Sequence, residues 1–187
     1  DFFCAYRGHA GSAGNSGNNS WHYIGAPADG DSVFTIGAVD ASGAYASFSS
    51  TGPTSDGRVK PNVVAQGSGA IVAVSYGGVV SANGTSFSCP IIAGAVACLW
   101  QANPSLNNME MLDAIQQSAT QYNNPDSLLG YGIPNFCVAN QLLAGVDRSA
   151  FSEDNLVKFY PNPFSDAFGF SFYSKVKQTL IMQLFDI

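Results

Sequence analysis

The feature that most constrains this chain is a glycine-led turn that opens into a long apolar helix. Residues 83–90 read Asn-Gly-Thr-Ser-Phe-Ser-Cys-Pro, and residues 86–101 are rich in alanine, glycine and larger apolar side chains. Gly84 permits a tight turn into a helix, and Pro90 is tolerated near the first helical turn. Because residues 86–101 are apolar nearly all round, they predict a helix that is buried on every side.

Ser86 falls at the N-terminus of this helix, where backbone N–H groups lack partners and the helix dipole is positive. A serine in that position can attack a carbonyl carbon, because donors for the resulting oxyanion are already in place. A simpler interpretation is a serine that caps a core helix. The Gly-Thr-Ser triplet alone does not show which interpretation is correct, so the choice depends on the rest of the sequence.

The surrounding patterns predict an α/β fold. Residues 32–40 and 70–75 are short apolar runs, typical of strands buried on both faces of a parallel sheet, and residues 45–50 predict a weaker edge strand. Residues 134–144 predict a helix with proline in its first turn. Residues 105–119 predict another, whose apolar face would carry Leu106, Met109, Leu112 and Ile115.

The character of the sequence changes at Gly145. Residues 145–156 are polar and charged, which predicts a linker. In residues 157–187, phenylalanines alternate with small residues around position 170, and residues 178–185 form another strand-like run. This pattern predicts the start of an antiparallel β domain with too few strands to bury its own core.

Composition excludes several classes of function. With 7 basic and 13 acidic residues the net charge is −6, which argues against a partner that is a nucleic acid or an anionic membrane. No apolar run reaches the roughly 20 residues of a membrane span. The four cysteines fit neither a disulfide scaffold nor a zinc spacing, and we expect Cys98 and Cys137 to be buried thiols.

Several strings together resemble the subtilisin-like serine proteases. Gly84-Thr85-Ser86, the proline four residues after the serine and the small-residue helix resemble the nucleophile segment, although Ile91 replaces the family's usual histidine. Ser12-Ala13-Gly14-Asn15 resembles the Ala-Ala-Gly-Asn string. Further resemblances follow in the family order at residues 33–40, 48–53, 60–67 and 130–134, with Asn62 and Gln66 as departures.

This resemblance implies a fold and a set of site residues. The fold would be a three-layer α/β/α arrangement with a mostly parallel sheet, of which residues 1–144 form an incomplete, C-terminal portion. Ser86 would be the nucleophile that hydrolyses peptide bonds of a polypeptide substrate, and its backbone N–H and the Asn15 amide would bind the oxyanion. The substrate-binding residues would be Ser12, Ala13, Gly14 and Thr85.

The resemblance implies no cofactor for the chemistry. Subtilisin-like proteases often bind structural calcium, and the candidate loop carboxylates here are Asp29, Asp31, Asp40 and Asp56. Their spacing matches no particular calcium motif.

A general base is not evident in the sequence. The histidines, His9 and His22, do not lie in the strings that carry the family's catalytic histidine, and the corresponding Asp and His motifs would lie upstream. We therefore expect these 187 residues alone to have little or no protease activity. Arg7-Gly8-His9 is unusual for a buried strand, which suggests a fragment boundary or an altered reading frame near the start of the sequence.

Two other functions are weighed against a protease. A non-catalytic, subtilisin-like binding module is one alternative. An α/β-hydrolase is the other, and it is disfavoured because the serine lies in Gly-Thr-Ser-Phe-Ser rather than Gly-x-Ser-x-Gly.

The string Tyr160-Pro161-Asn162-Pro163 resembles the opening of a type IX secretion sorting domain. That resemblance implies contact with a bacterial secretion machinery and a secreted or cell-surface location. The two prolines also suit an ordinary extended linker.

Overall fold

A parallel sheet lies at the centre of the first of two structural units, 1–144 and 145–187. The computed structural model describes residues 9–144, 158–160 and 169–171. Strands β1 (His9–Ser12), β2 (Val33–Val39) and β3 (Val63–Gln66) pair in that order, all parallel. The strand predicted at 32–40 is confirmed, and all but the first residue of β2 are buried, as expected for a central parallel strand.

After these strands and a short hairpin that is described below, the first unit contains the helices α1 (Thr85–Ala102), α2 (Asn108–Gln117) and α3 (Phe136–Leu143). Helix α2 begins at Asn107, whose side chain accepts from the backbone N–H of Glu110 while the Glu110 carboxylate accepts from the Asn107 backbone N–H. This capping box sets a start later than the predicted residue 105, because it satisfies two of the unpaired first-turn donors.

The three helices and the sheet share one hydrophobic core, which confirms the predicted α/β class. Its buried residues come from β2, β3, all three helices and the loop after α2: Phe34, Ile36, Val63, Ala65, Ile92, Val96, Leu99, Met111, Ile115, Ala119 and Ala139. Trp100 and Tyr131 pack against this core. The predicted face of α2 is partly wrong, since Met111 is fully buried whereas Met109 is exposed.

The prediction of a buried strand at residues 70–75 is wrong. Strands β4 (Ala70–Ala73) and β5 (Val79–Ala82) form a separate antiparallel hairpin, in which Ile71 is 70% exposed. The Gly77-Gly78 pair, both with positive φ, allows the tight reversal that turns the apolar run back on itself. Residues 45–50 form no strand either; Tyr45 makes a single bridge to Val39.

Helix α1 is also not buried all round. One face packs on the sheet, but the opposite face leaves Ser86, Pro90, Ile91, Ala97 and Cys98 exposed. The apolar composition predicted burial on every side, but the described residues provide packing partners for one face only. Cys137, on α3, is exposed as well, so the expectation of buried thiols is wrong for both cysteines.

Helix α1 also has the length and composition of a membrane span, with 18 residues at a mean hydropathy of 1.3. A core helix meets the same criteria. Ile92, Val96 and Leu99 lie in the core beside the sheet, so the packing of α1 is that of a core helix.

The second unit contains the strands β6 (Lys158–Tyr160) and β7 (Gly169–Ser171), which pair antiparallel. This agrees with the antiparallel pattern expected for that part of the chain. The predicted linker at 145–156, the strand at 178–185 and the unusual residues 1–8 lie outside the described residues.

Candidate functional site

The carboxyl ends of β1 and β3 bring the loop 13–17 and the start of α1 together. Residue Gly67, which follows β3, accepts a hydrogen bond from the backbone N–H of Gly84 (2.8 Å). A Cβ on Gly67 would lie 2.8 Å from both the Ala38 Cβ and the Gly84 carbonyl oxygen, so only glycine permits this approach. The close contact fixes where α1 begins relative to the sheet.

A contact between Asn15 and Thr85 joins two segments that are 70 residues apart in sequence. Asn15 Oδ1 accepts from the backbone N–H of Thr85 (2.9 Å) and from Thr85 Oγ1 (3.1 Å). In turn, Thr85 Oγ1 accepts from the backbone N–H of Gly14 (3.2 Å). Because only the oxygen of the Asn15 amide can accept from a backbone N–H, these bonds fix which way the amide faces.

Two hydrogen-bond donors remain available beside Ser86. Asn15 Nδ2 makes no hydrogen bond to the described residues, and neither does the backbone N–H of Ser86 in the first turn of α1. First-turn N–H groups of a helix lack intrahelical acceptors and carry its positive dipole end. Asn15 and Ser86 are both exposed, so a ligand can reach these donors. The arrangement suits an anion that forms next to Ser86.

Ser86 Oγ makes no hydrogen bond to any described residue. His22 stacks on Tyr23, with ring centroids 4.3 Å apart, and does not bond to the serine. His9 is the first residue of β1, paired in register with Val33. Among the described residues, Ser86 therefore lies near two N–H donors without acceptors and has no base in contact with it.

The predicted substrate-binding residues lie on the same side of the sheet as Asn15. Ser12 is the last residue of β1, and Ala13 is buried, with its N–H donating to the Ile36 carbonyl (2.8 Å). Gly14 has a φ of +98°, and a Cβ there would lie 2.9 Å from Ser50 Oγ. The loop thus turns sharply at Gly14 and directs Asn15 towards Thr85.

No role for Ser50 was evident from the sequence, although residues 48–53 resemble the family. The Ser50 N–H donates to the Gly14 carbonyl (2.9 Å), and Ser50 Oγ accepts from the Ser16 N–H (3.0 Å). Ser50 therefore holds both sides of the Asn15 loop. The Phe-Ser-Ser string at 48–50 was the signal that could have indicated this positioning role.

Three of the four candidate calcium carboxylates are engaged in other contacts. Asp56 accepts from Arg58 Nε (2.8 Å), Asp31 lies 3.7 Å from Arg58 Nη1, and Asp40 accepts from the Ser42 N–H and Oγ. The hydrogen bond from Arg58 lowers the pKa of Asp56 to about 2, and the bond from Ser42 lowers the pKa of Asp40. Among residues 9–144 and the two short strands beyond, no three His, Cys, Asp or Glu side chains form a metal-binding group.

A second polar network, around Lys60, lies at the opposite end of the sheet. Lys60 is only 2% exposed, and its Nζ donates to the Val33 carbonyl, to Thr35 Oγ1 (3.1 Å) and to Asn62 Oδ1 (2.8 Å). All three acceptors are neutral. Burial, together with repulsion from Arg58, lowers the pKa of Lys60 to about 8. Residues 60–67 resemble the family, but no role for the lysine was evident from the sequence.

Residues 9–132 match the model of the subtilase family of peptidases. The chain is 36% identical over 132 residues to subtilisin E of Bacillus subtilis strain 168, which covers 71% of this chain and 32% of that protein. It is 37% identical over 131 residues to subtilisin DY of Bacillus licheniformis, which covers 69% and 45%. The chain thus spans about a third to a half of the length of these relatives.

Solved structures with protease titles share the fold. The prenylagaramide maturation protease PagA matches with a TM-score of 0.61 at 26% identity, covering 74% of this chain and 50% of that one. The self-cleaved protease domain of PatA matches with a TM-score of 0.58 at 28% identity, covering 72% and 49%.

Proposed function

Because the chain belongs to the subtilase family, we propose that it forms part of a serine endopeptidase that hydrolyses peptide bonds through an acyl-enzyme on Ser86. The observation that carries this proposal is the contact between Asn15 and Thr85. That contact uses the Asn15 oxygen and leaves Nδ2 and the nearby Ser86 N–H as donors at the nucleophile. The substrate of this activity is a polypeptide.

In the proposed reaction, Ser86 Oγ attacks the carbonyl carbon of the scissile peptide. The C=O electron pair moves to oxygen, and the Asn15 Nδ2 and Ser86 N–H groups stabilise the oxyanion. A base takes the Ser86 proton and passes it to the leaving amine as the C–N bond breaks, and water then hydrolyses the acyl-enzyme ester, which restores the Ser86 hydroxyl. Donors fixed before reaction need no reorganisation as charge develops, which is the source of their effect on rate.

The base that accepts the Ser86 proton, and the acid that orients it, would come from polypeptide outside these residues. Two features of the described residues support this part of the proposal. Ser86 Oγ has no basic partner there, and α1 exposes an apolar face that includes Pro90, Ile91 and Ala97. An exposed apolar face beside a catalytic centre is a place for further chain to pack.

The experiment compares the 187-residue chain with the longest protein expressed from its gene. A fluorogenic peptide assay should detect turnover only in the longer protein, and Ser86→Ala should abolish it. Ser81→Ala, which removes another exposed serine in the neighbouring hairpin, should leave turnover unchanged. Equal turnover in wild type and Ser86→Ala would exclude the proposed nucleophile.

The isolation of Ser86 Oγ favours one other function, a subtilase-like module that binds peptides without cleaving them. The same longer protein separates the two. Saturable peptide binding with no Ser86-dependent turnover would support the binding module, whereas Ser86-dependent turnover excludes it.

We also propose that the protein is exported from a bacterial cell and that residues 157–187 begin a type IX sorting domain. The Tyr-Pro-Asn-Pro string and the antiparallel pairing of β6 and β7 support this. Replacing Pro161 and Pro163 with alanine in the native host should retain the protein inside the cell. Unchanged export of that variant would contradict a sorting role for this string.

A further inference from the structure

A cleft of about 520 Å³ opens on the surface of the first unit, away from the residues assigned to catalysis. Its lining includes Trp21, Tyr23, Asp29, Pro53, Thr54 and Ser55. None of the cleft residues belongs to the set around Ser86 and Asn15. Ile24, which also lines the cleft, packs in one cluster with Ala13 of the proposed substrate-binding set.

Aromatic rings form one wall of the cleft. Trp21 is 68% exposed, and its ring meets that of Tyr23 edge-on, with centroids 5.4 Å apart and planes at 72°. His22 stacks on Tyr23 as well. Tryptophan is highly buried on average, so a ring this exposed in a concave site is a candidate contact for a ligand.

The aromatic wall is held in place by backbone hydrogen bonds. The Thr51 N–H donates to the His22 carbonyl, and the Ile24 N–H donates to the Thr51 carbonyl, both at 2.9 Å. Ile24 and Ala28 are buried in a small cluster with Ala13 beneath the loop. A ligand would therefore meet a formed surface and not have to order it, which lowers the entropic cost of binding.

One carboxylate that lines the cleft, Asp29, makes no direct ion pair. Arg58 is engaged with Asp56 (2.8 Å) and Asp31 (3.7 Å). Asp29, which lines the cleft, makes no hydrogen bond or ion pair with any described residue. Its charge acts on Arg58 and Lys60 only at longer range, so the carboxylate shares the cleft with exposed aromatic rings and has no hydrogen-bond donor among the described residues.

We propose that this cleft binds an arginine side chain of a polypeptide. A guanidinium is planar and always charged, so it can stack on the Trp21 ring while its N–H groups donate to the Asp29 carboxylate. A lysine would satisfy the charge but not the stacking. A neutral sugar would stack but leave the charge of Asp29 without a partner, and an anion would be repelled by it.

The test follows the indole N–H signals of the two tryptophans by NMR in the full chain, with acetyl-triarginine amide as the probe. The Trp21 signal is identified by its loss in Trp21→Leu. Triarginine should shift that signal in a saturable way and leave the Trp100 signal in place. The isosteric citrulline tripeptide, which lacks the charge, should bind about tenfold or more weakly, because hydrogen bonds to charged groups are the stronger ones.

Variants then assign the contacts. Asp29→Asn should weaken triarginine binding by about tenfold or more. Asp113→Asn, which makes the same charge change on α2, should leave the affinity within about twofold, since an exposed charge outside the cleft is screened by salt. Equal affinity in Asp29→Asn, tighter binding of cellohexaose than of triarginine, or no shift of the Trp21 signal at saturating peptide would each overturn the proposal.

Discussion

Two polar networks lie at opposite ends of the same parallel sheet and use their hydrogen-bonding groups differently. Asn15 and Thr85 meet beyond the last residue of β1, where Asn15 is exposed. Lys60 bonds to Val33 and Thr35, in the first half of β2, where it is almost fully buried. The exposed network leaves two donors without acceptors, whereas the buried lysine has three acceptors for its donors.

This difference in hydrogen-bond pairing indicates that the exposed network can bind a ligand, whereas the buried network stabilises the fold. A free donor at the surface can be satisfied by water until a ligand arrives, so it is tolerated at little energetic cost. A free donor in the interior would destabilise the fold, so buried polar groups are paired. Lys60 has hydrogen-bond acceptors for its donors, but none of these acceptors carries a negative charge. The stability of the fold should therefore depend on the protonation of Lys60, and so on pH.

The largest effect is expected on kcat, when the Asn15 side chain of the exposed network is replaced. In an active form of the protease, Asn15→Leu should lower kcat by about 10²–10³ with little change in KM, because the donor acts on the transition state. That magnitude is the one known for the oxyanion asparagine of a subtilisin and is carried over from it. Steady-state kinetics on a peptide substrate provide the measurement.

Asn18→Leu is the matched control for this prediction, since it places the same side chain at an exposed position of the same loop. It should leave kcat unchanged. If both variants lose activity alike, the loss reflects a disturbed loop, and the oxyanion role of Asn15 is contradicted.

The next effect concerns the buried network and pH. The pKa of Lys60 is about 8 in the folded chain, against an ordinary 10.5. Below pH 8, Lys60 is protonated in both the folded and the unfolded chain, and burial of its charge destabilises the folded chain. As the pH rises from 8 towards 10.5, Lys60 loses its proton in the folded chain before it does so in the unfolded chain. The free energy of unfolding should therefore rise over this window, by up to about 3 kcal/mol, as urea denaturation at several pH values would show.

The charges that act on Lys60 are Arg58, which lowers its pKa, and Asp31 and Asp29, which oppose that shift. Asn62→Asp would place a carboxylate where Asn62 Oδ1 now lies, 2.8 Å from Lys60 Nζ. This variant should raise the pKa of Lys60 and flatten the pH profile. A profile that keeps its slope in Asn62→Asp would show that another group causes it.

A smaller effect, on the free energy of unfolding, is expected when the Thr85 hydroxyl of the exposed network is removed. Thr85→Val removes the oxygen that contacts the Gly14 N–H and Asn15 Oδ1, at 3.2 and 3.1 Å. It should lower the free energy of unfolding by about 1–2 kcal/mol, because the Gly14 N–H loses its acceptor in a partly buried site. Thr85→Ser keeps the hydroxyl and should retain most of the stability; a loss in Thr85→Ser as large as that in Thr85→Val would show that the hydroxyl alone does not stabilise this contact.

The smallest effect tests the difference between buried and exposed apolar residues. Ile71→Ala in the β4–β5 hairpin should change the free energy of unfolding by less than about 0.5 kcal/mol. Ile115→Ala, in the core, should lower it by about 2–5 kcal/mol. A loss of similar size at Ile71 would mean that the hairpin is covered by packing not present among the described residues.

Some features of this protein follow from local sequence alone. The strand at 33–39 and the start of a helix at the Gly-Thr-Ser string depend on neighbouring residues, so periodicity and glycine positions were enough to predict them. The nucleophile candidate and its family resemblance were also readable, because those residues are consecutive.

Other features depend on contacts between distant segments, and only the tertiary structure determined them. The runs at 33–39 and 70–73 are both apolar, yet one is buried between helices and loops and the other is an exposed hairpin. One face of α1 is exposed because none of the described residues packs against it, and the composition of the helix does not encode that. Likewise, the orientation of the Asn15 amide depends on Thr85, and the pKa of Lys60 depends on its burial beneath β2, because both are set by groups far away along the chain.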